Sequence, residues 1–150
     1  MSTSSPEYVT VDAVKKVCSD LGIRDWTALS EPKITEEEAQ SVLGALGVRD
    51  LDVPLEDFRR GLEVELEHGT EFDDCNVTNN HPVLTGKIVL AHLRESLDYY
   101  KRLEVAELEG DIFKAVLAGD HAKLERLYRE LAVAKAALHN AERAQLAGSA

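Results

Sequence analysis

The side chains best suited to chemistry stand in two short stretches. Glu65 and His68 are three apart in ELEHG, and His92, Glu95 and Tyr99 follow in the next helical segment at steps of three and four. Residues three or four apart share a face of an α-helix, so two packed helices could bring these five polar groups together. Bundles that hold two metal ions use a Glu-x-x-His pair from each of two helices and a glutamate from each of two others. Here the second pair runs in the opposite order, His92 before Glu95, and no bridging glutamates complete the set. The spacing therefore predicts a structural polar network of Glu65, His68, His92, Glu95 and Tyr99 that fixes how the helices meet. The alternative is a metal site on Glu65, His68, His92 and Glu95, with redox or hydrolytic use. No catalytic residue, cofactor or metal is assigned.

Other groups carry less. His68, Cys75, His81 and His92 are suitable zinc ligands by type, but their intervals match no paired-ligand spacing. Cys75 acting as a nucleophile with His68 or His81 would need a lowered thiol pKa, and the adjacent Asp73 and Asp74 push it upward. Thr85-Gly86-Lys87 imitates a phosphate loop without its upstream glycine, and Ile88 stands where a hydroxyl residue belongs. Cys18 and Cys75, far apart, read as reduced thiols of unassigned role. His121 and His139 sit among charged residues and read as solvated.

The elements that must position these groups are helices. Thr10 or Asp12 can cap a helix whose apolar positions run Val11, Val14, Val17, Cys18, Leu21, and Gly22 stops it. Thr35 and Glu38 make a capping box before Ala39, Val42, Leu43 and Leu46, and Gly47 ends that helix. Leu-Gly, a β-branched residue and Arg-Asp occur at both stops, 21–25 and 46–50, an internal echo that helix-stop chemistry explains. A third helix over 54–68 places Leu55, Phe58, Leu62 and Leu66 on one stripe. The polar stretch 70–81 is long for a helix connection and reads as a functional loop.

Residues 82–109, apolar nearly all the way round, read as a central buried helix, with Leu93 and Leu97 in the core. Gly110-Asp111 and Gly119-Asp120 read as stops around a short helix, and the chain ends in an amphipathic helix. Its seam is Leu124, Leu127, Leu131, Ala134, Leu138 and Ala141. No stretch alternates with period two. The fold expected is all-α, a compact bundle of about six helices: a flexible tail over 1–9, a helical domain over 10–109 and a helical extension over 110–150.

Composition narrows the function. Asp and Glu number 28 against 17 Lys and Arg, for a net charge of −11. Such a surface repels nucleic-acid phosphates and anionic lipid, and no apolar run is long enough to span a membrane. With no basic start followed by an apolar stretch, the expected location is the cytoplasm, or a virion assembled there.

The region 34–107, above all DFRRGLEVELEHG (57–69) and NVTNNHPVLTGKIVLAHLRESLDYYKRL (76–103), resembles a family of short bacterial and phage helical proteins, a domain of unknown function. Its marks are ELEHG, NVT, TGKIxLAHL and DYYxRL. This chain departs at Asn79, Asn80 and His81, where the family carries acidic residues before the proline, and the helices beyond Gly110 look like an addition. The resemblance implies a fold and, through its occurrence in phage genomes, a setting; it implies no activity. The function expected is therefore that of a non-catalytic assembly protein and not an enzyme, a structural or accessory component of a phage virion or similar large particle. Its partners would be other protein chains, met through Asp73, Asp74 and Asn76 of the loop and through the seam residues Leu124, Leu127, Leu131 and Leu138.

Overall fold

The computed structural model describes residues 9–148; the expected tail over 1–9 lies, but for Val9, outside them. Six α-helices follow one another: α1 (Val11–Leu21), α2 (Glu36–Leu46), α3 (Leu55–Glu71), α4 (Pro82–Glu95), α5 (Tyr99–Ala118) and α6 (His121–Gly148). Single 3-10 turns occupy Trp26–Ala28 and Asp73–Cys75, and there is no strand among the described residues. The all-α class and the number of helices expected from sequence are present, with the fourth and fifth bounded differently. None of these helices is long and apolar enough to cross a membrane.

Caps set most of the boundaries. The Thr10 side chain accepts the amide of Ala13, and Thr35 and Glu38 form the reciprocal capping box. Gly22 stops α1 at φ 69°, with its own amide bonded to the Ser19 carbonyl and that of Ile23 to the Cys18 carbonyl, a complete Schellman motif.

The chain divides into two compact units, residues 1–95 and 96–150. In the first, α3 packs against α2 and α4, α2 also packs on α4, and α1 packs on α2 and α4. Trp26, Phe58, Leu62, Leu66, Val42, Val89 and Leu93 fill the core. A Cβ on Gly86 of α4 would stand 2.8 Å from Leu46 Cδ1, 3.0 Å from Val42 Cγ1 and 3.3 Å from Phe58 Cζ, so the close approach of these helices requires glycine there.

One carboxylate is buried in this core, and it is fully engaged. Arg24 donates to Glu38 through Nε at 2.8 Å and Nη2 at 2.7 Å, and the Thr35 amide (3.0 Å) and Trp26 Nε1 (3.4 Å) also donate to it. Burial raises the Glu38 pKa, and these donors, Arg24 foremost, more than reverse that and leave it below the usual carboxylate value. Glu38 thereby ties the turn after α1 to the start of α2.

The second unit is a helical hairpin of α5 and α6. Gly119 turns it at φ 67°, with the Asp120 amide bonded to the Ala115 carbonyl. At the open end Asp98 is buried, accepting from Arg102 Nε (2.9 Å) and Nη2 (2.8 Å), from Gln145 Nε2 (3.1 Å) and from the Ser96 hydroxyl. Burial acts to raise its pKa, but Arg102, Ser96 and Gln145 hold it below the ordinary aspartate value.

The structure departs from these expectations at several points. Residues 82–109 do not form one helix: the chain breaks after Glu95, because Ser96 and Asp98 bond each other and the Tyr99 amide turns back to the Ser96 carbonyl. Leu97, in that break, is 41% exposed instead of buried, while Leu93 is 1% exposed as expected. Gly110 does not stop a helix but lies inside α5, since a helix of this length tolerates one glycine. The α6 seam, in turn, is used within the hairpin: Leu127, Leu131 and Ala134 are buried and Leu124 and Leu138 half-buried, with α6 packed on α5.

Candidate functional site: a cleft walled by the 72–81 loop

Asparagines build this loop. Asn79 and Asn80 adopt positive φ of 48° and 59°, a conformation their short polar side chains tolerate better than most. Asn76 Nδ2 donates to Asn80 Oδ1 (3.1 Å), the Asn80 amide donates to Asn76 Oδ1 (3.3 Å), and Asn80 Nδ2 donates to the Trp26 carbonyl (3.1 Å). Asn79 Nδ2 donates to the Val9 carbonyl. Gly69 of α3 makes room for this knot, because a Cβ there would lie 2.8 Å from Asn76 Nδ2 and collide with Asn80 Oδ1.

His81 ends the loop as the cap of α4. Its Nδ1 accepts from the amides of Val83 (3.2 Å) and Leu84 (3.3 Å), and Pro82 occupies the first helical position, where its missing N–H costs nothing. Accepting two amides requires the unprotonated nitrogen. Burial, with help from Lys87, lowers the His81 pKa in the same sense.

Between α3, this loop and α4 lies a cleft of about 370 Å³. Phe72, Cys75, Val77 and Ile88 line it together with Glu65 and His68. Three of these apolar side chains stand in water: Phe72 is 53% exposed, Val77 83% and Ile88 40%. Glu67, Glu71, Asp73 and Asp74, exposed on the same segment, make the surroundings acidic. The segments ELEHG, NVT and TGKI, on which the family resemblance rests, all contribute to this one cleft.

The expected five-residue network is gathered only in part. His92 Nε2 stands 3.6 Å from Glu65 Oε1, across the α3–α4 contact. His68 and Glu95 are exposed, and Tyr99 belongs to the hairpin unit, where it meets Tyr100 edge-on at 5.1 Å between centroids. The break after Glu95 accounts for Tyr99, since the stripe assumed an unbroken helix. Among the described residues, no group of three or more His, Cys, Asp or Glu side chains is placed to hold a metal ion. Cys75 is exposed and Cys18 buried, its thiol pKa raised by burial.

Of the expected contact residues, Asp73 and Asp74 are exposed on the 3-10 turn, and Asn76 is half-buried as the tie of the loop. Sequence reading missed the roles of His81 and Asp98 and, beyond the capping box, the tie from Glu38 to Arg24. Histidine before Pro82 at a helix start was the available signal for the first; the Glu38 and Asp98 contacts join residues up to 47 positions apart, which no local pattern records.

A sequence-family model described as Protein of unknown function (DUF5661) matches residues 14–109. No curated protein and no solved structure matches the chain.

Proposed function

The chain belongs to the DUF5661 family, and from that premise we propose that it is a non-catalytic interaction protein whose cleft at the 72–81 loop seats a segment of another protein chain within a larger assembly, a phage particle being the form its resemblance suggests. The observation that carries this is the exposed apolar rim, Phe72, Val77 and Ile88, around a cleft whose loop is held in place by the asparagine knot. A pocket for a small molecule hides its apolar lining, whereas large apolar side chains left in water mark a surface that a macromolecular partner covers.

The acidic margin names the partner's chemistry. Glu71, Asp73 and Asp74 stand exposed beside the apolar rim, so the docked segment combines apolar anchors with flanking basic residues. The metal reading has no comparable support, resting on the single Glu65–His92 pair.

A photo-crosslinking amino acid in place of Val77, in cells that produce the protein, tests this. The expected result is a discrete protein adduct, absent with the label at Glu36 and lost in Phe72→Asp and Ile88→Glu variants that keep wild-type helicity. Adducts of equal yield at both positions would overturn it. So would a stoichiometric small molecule or metal retained by the purified chain and lost in the same variants.

A further inference from the structure

We infer that the break between α4 and α5 is conditional: the end of α6 holds residues 96–98 out of helix, and when that end lifts away they close into helix and make α4 and α5 continuous. This goes beyond the cleft reading and does not rest on it.

The first observation is that the local sequence does not forbid the helix. Residues 87–109 contain neither glycine nor proline, the residues that interrupt a helix by themselves. Across the break Leu90, Leu93, Leu97 and Tyr100 keep helical steps of three, four and three. Yet Leu97 is 41% exposed, while Leu90, Leu93 and Tyr100 are buried. A helix through 96–98 would set Leu97 back in line with Leu93.

The second observation is what holds the break. The Ser96 hydroxyl donates to Asp98, two positions on, a contact that a helix does not offer because residues two apart do not face each other. The Arg102–Asp98 pair, four apart, suits a helix as well as the break and decides nothing between them. The remaining ties come from far along the chain: Gln145 Nε2 donates to Asp98 at 3.1 Å, and Glu142 pairs with Arg102 at 3.0 Å. Both belong to the end of α6.

The third is that this end is weakly anchored. The buried residues of α6 are Leu127, Leu131 and Ala134, and beyond Ala134 every described residue is half-buried or exposed. With so little apolar burial, the last turns of α6 open at low cost and leave the buried seam intact. Their departure takes Gln145 from Asp98, and the helical pattern of the segment then stands against the single Ser96–Asp98 bond. Local preference and tertiary contacts thus favour different conformations of 96–98, and the end of α6 sets which one is populated.

Backbone 13C chemical shifts of the full chain read the conformation residue by residue. In the wild type, Ser96, Leu97 and Asp98 should show non-helical values. Gln145→Ala, an exposed position 47 residues from Asp98, should move Ser96 and Leu97 toward helical values although it changes nothing in their local sequence. Ser96→Ala combined with Gln145→Ala should bring 96–98 fully to helical values, while the shifts of Leu93 and Leu127 stay as they were. Non-helical values at 96–98 in the double variant would overturn the inference, as would a Gln145→Ala chain unchanged at Ser96 and Leu97, or a wild type already helical there. None of these outcomes bears on the Val77 crosslink, so the two readings fail separately.

Discussion

His81 shows how one side chain can set the acid limit of a loop. Its Nδ1 caps α4 only while unprotonated, and its pKa in the folded chain is lowered from 6.5, chiefly by burial. The unfolded chain therefore binds the proton more readily, so the stability His81 contributes is present above the unfolded value and is lost as pH falls through the folded one. Melting curves between about pH 7.5 and about pH 5.5 should show a fall that His81→Asn, a cap that does not titrate, reduces. An identical slope in the variant would refute the cap's role. Glu38 obeys the same sign at lower pH: its lowered pKa stabilises the fold above the ordinary carboxylate range and ceases to as the carboxyl protonates. Arg24→Ala leaves this buried carboxylate short of its main partner. Because Arg24 is itself half exposed, the expected loss is about 2 kcal/mol by denaturant unfolding, less than for a fully buried pair.

At the scale of elements, α4 is where helix pattern and helix packing can be separated by substitution. Leu93→Asp places a charge in the core and should cost several kcal/mol, enough to unfold the first unit. Leu97→Asp, four residues on, should change stability by less than about 1 kcal/mol, because the break after Glu95 leaves Leu97 in water. Equal losses would mean that the helix continues. Gly86→Ala sets a gain in helix propensity of about 1 kcal/mol against overpacking of about 1–3 kcal/mol, since the new methyl meets Leu46, Val42 and Phe58. Net destabilisation is expected from denaturant titration, and a stabilised variant would show that these side chains yield freely.

The whole molecule carries its charge unevenly, with a net of −10 on residues 1–95 and −1 on residues 96–150. Like charges on one compact unit repel, and salt screens them over about 8–10 Å at ordinary ionic strength. Raising salt from low to moderate ionic strength should therefore raise the melting temperature of the chain, by roughly 4–8 °C per 1 kcal/mol gained for a unit of this size. A lower melting temperature in salt would mean that ion pairs such as Arg24–Glu38 outweigh the repulsion.

Local chemistry was legible in the sequence wherever neighbours in the chain are neighbours in space. The stop at Gly22, the Thr35–Glu38 capping box, the Leu55–Leu66 stripe and the all-α class follow from contacts spanning a few residues, which helical periodicity records directly. The tertiary structure decided where long-range partners overrule that periodicity. It broke 82–109 at Ser96, where Asp98 finds Arg102 nearby and Gln145 far along the chain, and it carried α5 through Gly110 by packing on α6. It also turned the α6 seam inward and gathered Phe72, Val77 and Ile88 around one cleft. Those outcomes depend on which surfaces meet after collapse, and the free energy of burying them outweighs a preference of about 1 kcal/mol at any single position.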